Sequence, residues 1–191
     1  MNWRSYKKYF KGKKILITGN SGFVGSYLSL TLSLLGSKIL GYSLKKEDKR
    51  YLSNFSDYKR KIKTITADIK NIESYQNTII KFKPDILIHL ASQPLVSESY
   101  IKTKTNYETN VMGTVKLLEI VKKIKNLKNI MIFTSDKVYK NLEKNRLNEK
   151  SPLGGEDPYS ASKSAQDLIS NSYKLSFFKK NKNLFLVRAG N

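Results

Sequence analysis

Short apolar runs alternate along this chain with longer stretches in which apolar residues recur every three or four positions. Residues 14–18 (KILIT), 38–42, 63–67, 85–90, 129–134 and 183–187 are brief and apolar, most of them rich in branched side chains, the pattern of strands in a buried sheet. Residues 23–35 place Leu28, Leu32 and Leu35 on one helical face, with Gly36 positioned as the C-terminal cap. Residues 72–82, 106–125 and 158–179 also read as helices. Pro84 stops the first of these, and Val111, Val115, Leu118 and Val121 fall in register in the second. Residues 43–60, 91–104 and 136–156 are weakly periodic or broken by proline and glycine, and read as loops. The first 13 residues read as an amphipathic lead-in, with Trp3, Tyr6, Tyr9 and Phe10 available to cover a sheet edge. Strands alternating with helices predict an α/β domain on a parallel sheet with right-handed crossovers. Ligands of such sheets sit beyond the C-terminal ends of the strands.

The first strand runs into Gly19, Gly22 and Gly25, three apart, and a helical pattern begins at Phe23. A strand, a glycine turn and a helix start make a phosphate-binding corner. Gly19 allows a sharp turn, Gly22 lets the backbone approach a pyrophosphate, and Gly25 lets the helix pack close. Free N–H groups at the helix start then face the anion. The spacing is G-x-x-G-x-x-G rather than G-x-G-x-x-G. Tight packing alone is the bland reading; the strand–turn–helix context favours a dinucleotide.

Composition narrows the chemistry. The 191 residues bound one ordinary domain. The absence of cysteine excludes a disulfide scaffold, a thiolate metal site and a cysteine nucleophile. The one histidine, His89, ends an apolar strand and reads as structural, and a histidine-based metal site is not expected. No apolar run reaches bilayer length, and the basic N-terminus has too short an apolar run for a signal sequence, so a cytoplasmic protein is expected. The formal charge of +21 invites a polyanion reading. The lysines are scattered, however, and runs such as Lys122-Lys123 and Lys179-Lys180 read as solvated faces, so nucleic-acid binding is the minority reading.

Tyr159 and Lys163 lie four apart on a predicted helix and so share a face. A free tyrosine, with a pKa of about 10, is a poor base at neutral pH. An ammonium about 4 Å away, at an effective dielectric of about 20, favours the phenolate by about 4 kcal/mol, or about three pKa units. That brings Tyr159 toward the range of general acid–base catalysis. Ser135, at the end of the fifth strand, supplies a hydroxyl to orient a substrate alcohol. A surface pair at this spacing is common by chance; here it follows a dinucleotide corner and a strand-end serine.

These residues carry a resemblance. Residues 18–25 (TGNSGFVG), 89–96 (HLASQPLV), 109–114 (TNVMGT), 134–137 (TSDK) and 152–163 (PLGGEDPYSASK) together resemble the extended short-chain dehydrogenase/reductase superfamily. Within it, GYSL at 41–44, QPLV at 93–96, PLGG before the tyrosine and RAGN at 188–191 resemble the CDP-glucose 4,6-dehydratase subfamily. The resemblance implies a Rossmann-like doubly wound parallel sheet, strand order 3-2-1-4-5-6, with helices on both faces. It implies an NAD-dependent loss of water from a nucleotide sugar. Tyr159 and Lys163 would be the acid–base pair, with Ser135 beside them. Asp136 would be the acid for the departing hydroxyl and Lys137 the base for the C5 proton. A lysine base must be neutral, so burial or a cationic neighbour must lower its pKa. Gly19, Gly22, Phe23, Val24 and Gly25 would surround the pyrophosphate, and Asp68 and Ile69 would border the adenine. Leu90, Ala91 and Ser92 would line the nicotinamide side, and Lys163 would hold the ribose hydroxyls. The resemblance also implies a homodimer through helices 106–125 and 158–179, with Leu168, Ile169 and Tyr173 on its face, and a setting in deoxysugar and cell-surface polysaccharide synthesis.

Three departures stand out. Position 24 is valine where related chains often carry lysine. No acidic residue ends the second strand, which continues into Lys45-Lys46; that tolerates NADP, although NAD remains the expectation. The chain ends at RAGN, where relatives continue into segments that build the sugar-nucleotide pocket, so that portion is expected to be absent and the isolated chain to turn over poorly. Other dehydratases or epimerases of UDP, GDP or dTDP sugars, reductases, and a non-catalytic NAD-binding module are the alternatives.

Overall fold

The residues from Lys14 to Thr18 form strand β1, and their side chains feed two cores at once. Ile15 and Ile17 point to one face of the sheet and Leu16 to the other, all fully buried. The computed structural model describes residues 2–45, 51–140, 147–178 and 180–190. In chain order, helix α1 (Trp3–Phe10) precedes β1, and helix α2 (Phe23–Leu34) and strand β2 (Lys38–Ser43) follow it. Next come α3 (Ser56–Lys61), β3 (Lys63–Thr66), α4 (Gln76–Phe82), β4 (Ile86–His89), α5 (Val96–Ile101), α6 (Thr103–Tyr107) and α7 (Gly113–Lys122). Strand β5 (Asn129–Phe133), helix α8 (Pro158–Tyr173) and strand β6 (Asn183–Val187) complete the described elements.

All six strands pair in parallel in the order β3-β2-β1-β4-β5-β6, as expected. One core joins Ile15, Ile17, Ile39, Ile86 and Ile88 to Leu32 of α2 and Leu35 at its end, and to Tyr58 of α3 and Ile62 at its end. The other joins Leu16, Leu40, Leu87, Ile130 and Ile132 to Leu117, Leu118 and Val121 of α7. Each fully buried aliphatic side chain contributes about 1.5–3 kcal/mol. Helix α2 stops where the pattern put it. Gly36 takes φ +92°, its N–H reaches the Ser33 carbonyl, and the Ser37 N–H reaches Leu32, so the last carbonyls are capped. The chain passes from β1 to the β2–β3 side and returns to β4 on the other side of β1. The crevice between the C-terminal ends of β1 and β4 is therefore the topological switch point.

The loops hold more structure than expected. Residues 43–60 contain a 3-10 turn, Leu52–Asn54, and α3, because Tyr58 is buried against the α2 core; Lys46 falls outside the described residues. Residues 91–104 contain α5. The helix expected over 106–125 starts at Thr103, bulges through a π turn at Glu108–Met112 and ends at Lys122. Helix α8 gives way at Lys174–Phe178 to a π turn, and Lys179 lies outside the described residues. The lead-in does not cover an edge. Of its four aromatics only Phe10 packs on the core, while Trp3, Tyr6 and Tyr9 are exposed. Bonds from Gly12 N–H to the Gly36 carbonyl and from Ser37 Oγ to the Phe10 carbonyl pin α1 beneath the start of β2.

Candidate active site

At the end of β1 the chain turns at Gly19, which takes φ +74°. A Cβ there would lie 2.7 Å from the Ala91 nitrogen and the Leu90 carbonyl carbon, so only glycine lets β1 and β4 close up. At Gly25 a Cβ would lie 2.2 Å from the Gly19 carbonyl oxygen, so this residue seats α2 on the turn itself rather than on the strand. Gly22 is less confined, with the Gly19 oxygen 3.3 Å from a Cβ built there. The first N–H groups of α2, at Phe23, Val24 and Gly25, have no intrahelical acceptor and face outward at its positive end. Phe23 and Val24 are exposed. A cradle that added methyl groups would fill, closed by a helix N-terminus, fits a pyrophosphate.

The other expected cofactor contacts divide. Leu90, Ala91 and Ser92 follow β4 at the rim of the crevice, half-buried. Asp68 caps the turn after β3, accepting the Lys70 N–H at 2.9 Å, and its carbonyl accepts the Tyr42 hydroxyl at 2.8 Å. Ile69 is a core residue packed against Gly113, so it contributes from beneath. At the end of β2, Ser43 Oγ lies 2.6 Å from Ser21 Oγ, and Leu44 is exposed.

Helix α8 places the acid–base pair. Asp157 caps it, accepting the Ser160 N–H at 3.0 Å, and Pro158 occupies its first turn. The Pro158 carbonyl accepts Asn106 Nδ2 at 2.9 Å and the Tyr159 carbonyl accepts Ser162 Oγ at 2.7 Å. Tyr159 and Lys163 are buried, 8% and 3% exposed, with Nζ 6.0 Å from the ring centroid. The expected lowering of the phenol is not what the surroundings produce. Burial pushes Tyr159 up, the Ser135 hydroxyl beside it pulls down, and Asp136 and Asp157 push up again. Burial likewise pushes the Lys163 ammonium down to about 8. Ser135 caps a 3-10 turn, Asp136–Val138, and bonds to Asp136 Oδ1 at 3.0 Å. Tyr159, Lys163 and Ser135 are thus brought together. Asp136 and Lys137 are both exposed, so the burial expected around a lysine base is not provided at Lys137.

Several residues of this region escaped the sequence reading. Asn20 fills the space above Gly41, donates to Tyr58 Oη and Thr64 Oγ1 at 2.9 and 2.8 Å, and ties the glycine turn to β3 and α3. Asn110 clasps the backbone of Gln93 from both sides, at 2.8 and 3.2 Å. Arg188 forms a two-pronged bond to buried Asp167, at 2.8 and 2.9 Å, and reaches Tyr139 Oη at 3.0 Å. Asn20 and Asn110 sit inside motifs that the sequence displays, but nothing in their spacing reveals these bonds.

The family profile described as GDP-mannose 4,6 dehydratase matches residues 16–186. The CDP-glucose 4,6-dehydratase of Salmonella typhimurium strain LT2 is 40% identical over 97% of this chain and 54% of its own length. Among solved structures, an epimerase from Methanothermobacter thermautotrophicus superposes with a TM-score of 0.83 at 21% identity, over 97% of this chain and 54% of its own. A dTDP-glucose 4,6-dehydratase from Bacillus anthracis in complex with NAD superposes with a TM-score of 0.73 at 26% identity, over 92% of this chain and 54% of its own. The chain spans about half the length of these relatives.

Proposed function

The chain belongs to the GDP-mannose 4,6 dehydratase family, and on that premise we propose that it carries the NAD-binding and acid–base half of a nucleotide-sugar 4,6-dehydratase acting on CDP-glucose. The substrate class is taken from the Salmonella relative. The observation that carries the reading is the convergence of Tyr159, Lys163 and Ser135, with Lys163 joined through Gln166, Thr114 and His89 to Thr18 at the end of β1. Gly19, Gly22, Phe23, Val24 and Gly25 would hold the pyrophosphate. Asp68 and Ile69 would border the adenine, and Leu90, Ala91, Ser92 and Lys163 the nicotinamide riboside. NAD, when bound there, would supply the hydride acceptor and donor that this chemistry requires. Tyr159 takes the proton of the 4-hydroxyl, and Ser135 orients that oxygen. With C4 a ketone, the C5 proton is acidic, and Lys137, in its neutral form, would take it. Asp136 protonates the 6-hydroxyl as it leaves as water. A proton restored to C5 completes the 4-keto-6-deoxy sugar. The all-parallel domain, the lack of cysteine and the absence, among the described residues, of a helix able to cross a membrane suit a cytoplasmic enzyme. Exposed Leu168 on α8 suits a homodimer seam.

The exposure of Lys137 favours a second reading, an epimerase-type reaction at C4, which needs Tyr159, Lys163 and Ser135 but no base for C5. Mass spectrometry separates the two: incubation with NAD and CDP-glucose gives loss of one water under the first and an isobaric product under the second. Tyr159→Phe should abolish either. Turnover that survives Tyr159→Phe overturns both.

A further inference from the structure

Behind Lys163 runs a line of buried polar groups that the proposed chemistry does not use. Thr114 Oγ1 lies 2.7 Å from the Asn110 carbonyl, 2.9 Å from His89 Nε2 and 2.9 Å from Gln166 Nε2. A hydroxyl has one hydrogen, and the carbonyl, which can only accept, takes it. His89 and Gln166 must therefore both donate to Thr114. That places the histidine proton on Nε2 and leaves Nδ1 a bare lone pair. Thr18 Oγ1, 2.6 Å from Nδ1, donates to it and in turn accepts the Ala91 N–H at 3.3 Å. With its amide nitrogen committed to Thr114, Gln166 turns Oε1 toward Lys163 Nζ, at 3.2 Å. A flipped amide would set N–H against ammonium and oxygen against a hydroxyl with no hydrogen left to give. Thr18, His89, Thr114 and Gln166 are fully buried, so no solvent competes for these bonds.

We infer that Gln166 is a positioning residue for Lys163, oriented by a hydrogen-bond network in which Thr18 and His89 on one side and Lys163 and Gln166 on the other all donate toward Thr114, whose own hydrogen goes to the Asn110 carbonyl. The inference rests on the proposed role of Lys163. An amide suits this task where a carboxylate would not. It fixes one ammonium hydrogen without cancelling the charge that Lys163 directs at Tyr159. The charged or titratable groups around Lys163 are His89, from β4, and Tyr159, on its own helix; Asp136 and Asp157 face the tyrosine.

The test reads Lys163 directly, in the full chain labelled with 13Cε-lysine and with neither cofactor nor sugar present. Its resonance is assigned by its loss in Lys163→Met. The wild-type midpoint is expected at about 8. Gln166→Glu should raise it by about one unit or more, because an opposite charge at this distance favours the ammonium. Gln166→Met and Thr114→Val should both lower it, and Thr114→Ser, which keeps the hydroxyl, should restore the wild-type value. A midpoint that Gln166→Glu leaves unmoved, or that Thr114→Val and Thr114→Ser shift alike, overturns the inference. Because no turnover is read, a chain that proves inactive toward sugars still decides the matter. An active chain whose midpoint ignores all four variants refutes the positioning role alone.

Discussion

His89 makes the stability of this protein depend on acid. It is fully buried and neutral between two threonine hydroxyls, and burial first, then the charge of Lys163, pushes its pKa down to about 3. The unfolded chain binds a proton at this residue with a pKa of about 6.5. Between those values the unfolded state carries the proton and the folded state does not, so stability is full above about 6.5 and is lost as pH falls toward 3. Integrated from pH 7 to pH 5, the loss is about 2 kcal/mol. With a urea slope of about 2 kcal/mol per molar, the unfolding midpoint should fall by about 1 M over that interval. The control is His89→Gln, whose amide can donate to Thr114 but cannot titrate. It will start less stable, and its midpoint should fall by far less between the same two pH values. Groups common to both proteins cancel in the difference, and the chain has no second histidine. Parallel falls in the two proteins would show that His89 takes up its proton in the native state and would refute the neutral tautomer.

The glycines of the corner should separate by function. Gly25→Ala drives a methyl into the Gly19 carbonyl and should lower the thermal midpoint by several degrees, an overpacking cost of about 1–3 kcal/mol. Gly22→Ala, with negative φ and looser surroundings, should leave that midpoint nearly unchanged while weakening NAD binding measured by calorimetry. Asp167→Leu leaves Arg188 without its partner in a half-buried site and should cost about 3–5 kcal/mol in urea unfolding, whereas Asp167→Leu with Arg188→Met should regain part of that loss. Tyr58→Phe removes the hydroxyl that donates to the Asn20 carbonyl at 2.8 Å and should cost about 1–3 kcal/mol; no change would mean that the Asn20 groups find other partners.

The sheet was legible because each strand is a short run of apolar residues with nowhere to go but inside. Ile15 to Thr18 and Ile86 to His89 can satisfy both their backbone and their side chains only at the centre of a covered sheet. The strand order came from the resemblance rather than from the runs themselves, and the sheet shows it. The glycine corner was legible for the same reason: three glycines between a strand and a helix answer to backbone geometry, which sequence spacing records. Helix α3 was not, because six residues carry under two turns of periodicity and its one decisive contact, Tyr58 on Asn20, spans 38 positions. Nor was α5, whose apolar residues Tyr100 and Ile101 stay exposed and so leave no stripe to read. The line from Thr18 to Lys163 is hidden more deeply. Its members come from β1, β4, α7 and α8, and each alone is an ordinary polar residue. Only the fold makes them neighbours.

The acid–base pair shows how burial overrules a charge argument made at contact distance. Burial pushes the phenol up and outweighs the Ser135 hydroxyl that pulls it down, and Asp136 and Asp157 add to the rise. The same burial acts on the lysine in the other direction, so both members are pushed toward neutrality. With Lys163 at about 8, about nine in ten molecules still carry the ammonium at pH 7, and only about one in ten at pH 9. The positive charge at the crevice floor is therefore conditional, and what surrounds Nζ decides whether it is present. A neutral histidine and a neutral amide are among the polar groups that the interior sets beside it. A carboxylate in either place would make the ammonium permanent and, by cancelling its charge, useless to the phenol.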